Sequence, residues 1–118
     1  MSEKSSLPTQ LQEQLLRLQQ LQQTLEAVIS QRQQLELERL EIDSALRELD
    51  KMTDDDVIYK SVGSLLLKSE KKKTVDELQE RRELTETRIT VLTRQQTRAE
   101  ERVKELQQII QDKLKTSS

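Results

Sequence analysis

The feature that most constrains this chain is a spacing of three and four residues that runs without interruption through both of its halves. Counted from Leu11, the series reads Leu11, Gln14, Leu18, Leu21, Leu25, Val28, Arg32, Leu35, Arg39, Ile42, Leu46 and Leu49. Counted from Val75, it reads Val75, Leu78, Arg82, Thr85, Ile89, Leu92, Gln96, Ala99, Val103, Leu106, Ile110 and Lys113. Mainly apolar residues at this spacing over several heptads form a narrow stripe on a helix, the pattern of a coiled-coil seam. Pairing Leu49 with Val75, Leu46 with Leu78, Leu35 with Ile89, Leu25 with Ala99 and Leu18 with Leu106 gives position numbers that add to 124, which puts the mirror point at Val62. Any two heptad tracks can be set antiparallel, but here the mirror point falls beside Gly63, the only glycine. Two helices of nearly equal length folding back on each other are therefore expected, each roughly 65 Å long at about 1.5 Å per residue.

Composition narrows the choice further. Of 118 residues only 32% are hydrophobic and one, Tyr59, is aromatic, too few for a conventional globular core, while 36% are charged. The apolar residues are periodic, which separates the chain from a disordered one. Pro8 is the only proline and suits a first helical turn. The reading is a polar tail at residues 1–6 followed by a single domain at 7–118, with a helix over about 8–51, a β-hairpin over about 57–68 and a helix over about 70–114. The fold class is all-α dominated, a long antiparallel two-helix coiled coil joined by one short β-hairpin.

Between the helices the character changes. Residues 52–56 (MTDDD) favour a turn. Residues 57–68 (VIYKSVGSLLLK) are β-branched, aromatic and leucine-rich, and Gly63-Ser64 suits a two-residue type II′ turn. Thr74-Val75-Asp76-Glu77 matches a capping box and sets the later limit for the start of the second helix. The apolar residues Val57, Ile58, Tyr59, Val62, Leu65, Leu66 and Leu67, placed around Gly63, fall on both faces of the strands. An isolated two-stranded hairpin is marginal in water, and Arg32, Arg39, Arg82 and Gln96 weaken the seam, so these hairpin residues are expected to mediate oligomerisation.

Catalytic chemistry has little to build on. The chain has no His and no Cys, hence no imidazole base, no thiolate and no usual transition-metal site. One glycine cannot form the phosphate-binding loops of nucleotide enzymes. No catalytic residue, metal or cofactor is expected. With 20 basic and 22 acidic residues interspersed, there is no field of one sign for nucleic acid. No apolar run approaches a membrane span and no secretory leader is seen, so a soluble cytoplasmic protein without a membrane partner is expected. Asp54-Asp55-Asp56 and Lys71-Lys72-Lys73 read as solvated charges flanking the hairpin. The exceptions to a plain seam lie near the two chain ends. Leu7, Leu11, Leu15, Leu16 and Leu18, with Ile109, Ile110 and Leu114, exceed what a two-position seam can bury. They form either a binding surface at the tip away from the hairpin or additional intramolecular packing.

The stretch Ile58-Tyr59-Lys60-Ser61-Val62-Gly63, followed by Ser64-Leu65-Leu66-Leu67-Lys68, resembles the VYKxVGxLLVK-like segment of β-type prefoldin subunits, with Ile58 and Leu67 standing where that pattern has valine. The resemblance extends over nearly the whole chain. A single hairpin separates β-type from α-type subunits, which carry two, and the short tails resemble archaeal members. The resemblance implies a hexamer of two α-type and four β-type subunits, with the hairpins building a double β-barrel platform. It implies that the tips capture non-native polypeptides and pass them to a group II chaperonin without ATP. The competing reading is a structural or tethering coiled coil that binds no client.

Overall fold

The structure is a computed structural model that describes residues 8–117. The tail at 1–6 and Leu7 of the expected tip surface lie outside the described residues. Four elements follow in order: helix α1 (Thr9–Asp50), strand β1 (Ile58–Val62), strand β2 (Leu65–Ser69) and helix α2 (Lys71–Ser117). The fold class is that expected, two long helices with a two-stranded antiparallel hairpin between them. They make up two compact units. The hairpin unit is Gln33–Thr90, and the terminal unit comprises the chain up to Arg32 together with Val91 onward.

Helix boundaries follow from local chemistry. Pro8 stands one residue ahead of α1 and supplies the first acceptor, taking the Gln12 N–H at 3.1 Å. It thus occupies the capping position and not the first helical turn. At the other end, Lys51 N–H donates to Glu48 O and Met52 N–H to Leu49 O, tight i to i+3 bonds that use up final carbonyls. The expected turn follows: Asp56 N–H donates to Thr53 O, and the Asp56 carboxylate accepts the Thr53 N–H at 2.7 Å. Helix α2 begins a turn before the capping box. Thr74 is helical, its N–H bonds to Glu70 O, and its hydroxyl meets Ser69 Oγ at 2.9 Å instead of capping the helix.

That early start puts three lysines at the positive end of the α2 dipole, an unfavourable position. Lys71 is compensated from elsewhere. Its Nζ donates to Met52 O at 2.6 Å, so a cation at the start of α2 serves an orphan carbonyl just past the end of α1, where positive charge is favourable. The lysine run is therefore not wholly solvated, since Lys71 is half-buried.

Packing follows the seam. Every residue of the two series is buried or half-buried, and none is exposed. In the terminal unit Leu11, Leu106 and Ile110 form a buried cluster with Leu18 and Leu21 against it. In the hairpin unit Ile42, Leu49, Ile58 and Ile89 are buried, as is Thr85, which occupies a seam position. Leu16 and Leu114, by contrast, lie outside the seam and are 56% and 47% exposed.

Truncating the seam should therefore cost far more than truncating its neighbours. Leu106→Ala is expected to destabilise the chain by about 2–5 kcal/mol, and Leu16→Ala by no more than about 0.5 kcal/mol. Urea unfolding followed by helical circular dichroism measures both, and equal losses would contradict the seam assignment.

Candidate functional site

The hairpin is built on the pairs Ile58 with Ser69, Tyr59 with Lys68, Lys60 with Leu67, Ser61 with Leu66 and Val62 with Leu65. Gly63 has φ +59°, and no other described residue has a positive φ. Only the first central residue of the turn is left-handed, which is the type II′ pattern and excludes type I′, where Ser64 would also need a positive φ. Glycine takes this φ without Cβ strain.

Because side chains alternate, Ile58, Lys60 and Val62 share one face with Leu65, Leu67 and Ser69, while Tyr59 and Ser61 share the other with Leu66 and Lys68. The first face is anchored at its base. Ile58 is 8% exposed, Ser69 bonds Thr74, and Lys60 Nζ meets Glu77 Oε2 at 2.8 Å. The remainder of the apolar set is open: Val57, Tyr59, Val62, Leu65, Leu66 and Leu67 are all exposed, Leu66 most at 70%. Ile58 is thus a core residue of the single chain, whereas the other apolar hairpin residues have no cover within it. The sheet has two strands only among the described residues, so each strand has an edge with no neighbouring strand.

In the terminal unit the expected tip surface divides. Leu11 at 2% and Ile110 at 5% are in the core, and Leu18 packs half-buried against it. These three correct the surface reading, because both seam series run through them and a seam side chain faces the partner helix. Leu15, Leu16, Ile109 and Leu114 remain exposed. Leu7 is outside the described residues.

Arg32, Gln96 and Arg82 find partners at the edge of the seam, whereas Gln14 Oε1 is buried with no hydrogen-bond partner. In the terminal unit Arg32 Nε donates to Gln96 Oε1 at 2.7 Å. In the hairpin unit Arg82 donates to Asp43 and pairs with Glu86 at 2.8 Å, and Arg81 pairs with Glu38 at 3.1 Å. The stems lie along the seam and the guanidinium heads reach its rim. Arg82 was legible as an intrusion, but Asp43 as its partner was not singled out. The signal was present, since Asp43 follows Ile42, the residue mirrored by Arg82. Among the described residues no group of three or more potential ligands is placed to hold a metal, and no helix is long and apolar enough to cross a membrane.

The Arg82 hydrogen bond lowers the pKa of Asp43 below its ordinary value, and the Lys60 hydrogen bond does the same for Glu77. A depressed carboxylate pKa adds stability above the ordinary value of the unfolded chain. That contribution fades as pH falls through the folded value. Asp43→Asn should therefore lower the melting temperature at neutral pH, and the difference from the parent should shrink as acid protonates Asp43 in the parent as well. Thermal circular dichroism across that range checks this. A pH-independent difference would assign the loss to packing.

The chain matches the family model described as prefoldin subunit over residues 12–117. It is 43% identical to the prefoldin subunit beta of Methanothrix thermoacetophila over 108 residues, covering 92% of this chain and 90% of that one. It is 43% identical to the prefoldin subunit beta of Pyrococcus furiosus over 110 residues, covering 93% and 94%. Among solved structures, the prefoldin beta subunit of Thermococcus strain KS-1 superposes with a TM-score of 0.82 at 42% identity, covering 91% of this chain and 94% of that one. With the family model spanning both helices and the hairpin, and relatives aligned along almost their full lengths, the chain belongs to the prefoldin family of β-type subunits.

Proposed function

We propose that this chain is a β-type subunit of a hexamer with two α-type and four β-type members, which captures non-native polypeptides without ATP and delivers them to a group II chaperonin in the cytoplasm. Family membership supports the coarser statement, a chaperone-type role. Members of this family are chaperones and not enzymes.

The observation that carries the reading is apolar surface that a single chain leaves in water. In the hairpin unit it comprises Val57, Tyr59, Val62, Leu65, Leu66 and Leu67 beside open strand edges. Strand edges and apolar side chains on one short ribbon are the chemistry of β-pairing between subunits, so this region is assigned to oligomerisation, with Gly63 setting the turn. In the terminal unit the surface comprises Leu15, Leu16, Ile109 and Leu114, assigned here to client contact. Four aliphatic side chains offer only a limited contact area, which suits weak, reversible capture. Several copies on one assembly can raise avidity by about 10² to 10⁴ over one copy. Release then needs no nucleotide.

Two variants test the assignments separately. Leu65→Asp with Leu67→Asp should prevent assembly with an α-type subunit, because unpaired charge in an apolar interface costs several kcal/mol. The helices should persist by circular dichroism. Serine at Leu15, Leu16, Ile109 and Leu114 together should leave the hexamer mass unchanged but abolish protection of a denatured test protein from aggregation. A hexamer that forms with the Asp pair rejects the hairpin assignment. Full protection by the serine variant rejects the client assignment.

A further inference from the structure

The hairpin carries two lysines with different surroundings. Lys60 and Lys68 stand on opposite faces, and residues 57–69 contain no acidic residue to serve either of them. Lys60 is satisfied from α2, by Glu77 at 2.8 Å. Lys68 is exposed and makes no hydrogen bond or ion pair among the described residues. Its face also holds Tyr59, directly opposite it, and Leu66, both exposed. A partner that covers those two takes water from the Lys68 ammonium as well, which is costly unless a carboxylate replaces that water.

Most other charges at the base of the hairpin are already engaged. Lys51 pairs with Glu48 at 3.3 Å, the Asp56 carboxylate holds the Thr53 N–H, and Lys71 holds Met52 O. Asp54, Glu70 and Lys72 line one groove of about 500 Å³, where both signs are present. Lys73 stands one turn before Glu77 on α2 and acts on its carboxylate. Asp55 remains, exposed and with no hydrogen bond or ion pair among the described residues. Each chain thus has one unpaired carboxylate just before β1 and one unpaired ammonium near the end of β2.

These two groups lie at the same end of the hairpin but belong to different edges. When two copies join edge to edge with their hairpins pointing the same way, β1 against the partner's β2 is antiparallel, and Asp55 of one copy comes to Lys68 of the other. Joining β1 to β1, or β2 to β2, brings like charges together, which is destabilising. With the hairpins pointing in opposite directions, each group lies beside the other copy's Gly63-Ser64 turn and finds no opposite charge there.

We propose that Asp55 is the counter-charge of Lys68 in a second copy of this chain, and that the pair selects the join of unlike edges, β1 of one copy against β2 of the next. Such a contact is head-to-tail, the kind that closes into rings. The inference rests on the hairpin-oligomerisation reading above and adds to it a pair of residues and a polarity. An ion pair in open water contributes little. Here Tyr59 and Leu66 exclude water as the edges join, so the sign of the facing charge decides whether Lys68 is tolerated.

The test mixes two charge reversals, each in the full chain, and measures self-association by sedimentation. Asp55→Lys leaves both positions basic and Lys68→Asp leaves both acidic, so each variant alone should associate at least about tenfold more weakly than the intact chain. An equal mixture should recover the intact affinity to within about twofold, because every unlike-edge join between the two variants again sets opposite charges together. Lys73→Asp makes the same charge change off the hairpin, and should alter association by no more than about twofold. Circular dichroism establishes that each variant remains helical. A mixture no better than its components, or single variants that associate as the intact chain does, overturns the proposal. An intact chain that associates only with an α-type subunit makes that subunit the occupant, which overturns the proposal and leaves the oligomerisation reading standing. An intact chain that neither self-associates nor assembles with an α-type subunit overturns that reading itself, and this inference with it.

Discussion

The whole arrangement depends on the width of the apolar stripe. Two positions in seven carry most of the large aliphatic groups of each helix, too few to form a core alone and enough to cover one facing helix. Burial of a leucine or valine contributes about 1.5–3 kcal/mol, so a row of such residues outweighs the ordering of two otherwise polar helices only while the stripes face each other. This explains why the seam residues are buried or half-buried in both units while flanking residues of the same type, such as Leu16 and Leu37, stand in water. A leucine here is buried by its place in the series and not by its identity.

The same constraint shows how much was legible in the sequence. Periodicity carried the seam, and the sole glycine carried the turn, because a two-residue hairpin loop needs a positive φ at its first central residue and Gly63 takes it without strain. The tip was less legible. Leu11 and Ile110 were counted as surplus although they belong to the two series, and the structure buries them both. The surplus proper is what lies off the series: Leu15, Leu16, Ile109 and Leu114. Thr74 marked only the later limit of the second helix, which takes the earlier start expected near residue 70. The Thr74 capping-box match is real, but the three preceding lysines can continue a helix, and the Lys71 bond to Met52 favours the earlier start. Partners of charged residues, such as Asp43 for Arg82, depend on rotamers that spacing does not specify.

Polar residues inside the seam have a consequence for specificity. A continuous leucine stripe would accept another stripe in many registers and either orientation. Arg32 with Gln96 in the terminal unit, and Arg82 with Asp43 in the hairpin unit, each require one particular partner at one level. A shifted pairing would leave a guanidinium facing apolar groups and would lose a charge-assisted hydrogen bond. These positions weaken the seam in energy while narrowing the pairings it can adopt.

Such narrowing matters because the exposed surfaces are themselves adhesive. The hairpin leaves Tyr59, Leu65 and Leu66 open, and the terminal unit leaves Leu15 and Leu114 open. Their neighbours set different limits on what they can hold. Around the hairpin, Lys60 is held by Glu77, and Lys68 shares a face with Tyr59, so charge borders the apolar ribbon and the strand edges define its geometry. Leu15 and Leu114 stand on helices, Leu114 between Lys113 and Lys115, so no strand register is imposed around them. A surface with fixed strand edges restricts the geometry of what can pair with it, whereas exposed leucines on a helix do not, and both kinds of surface stand on one chain because the seam keeps their residues out of its own core.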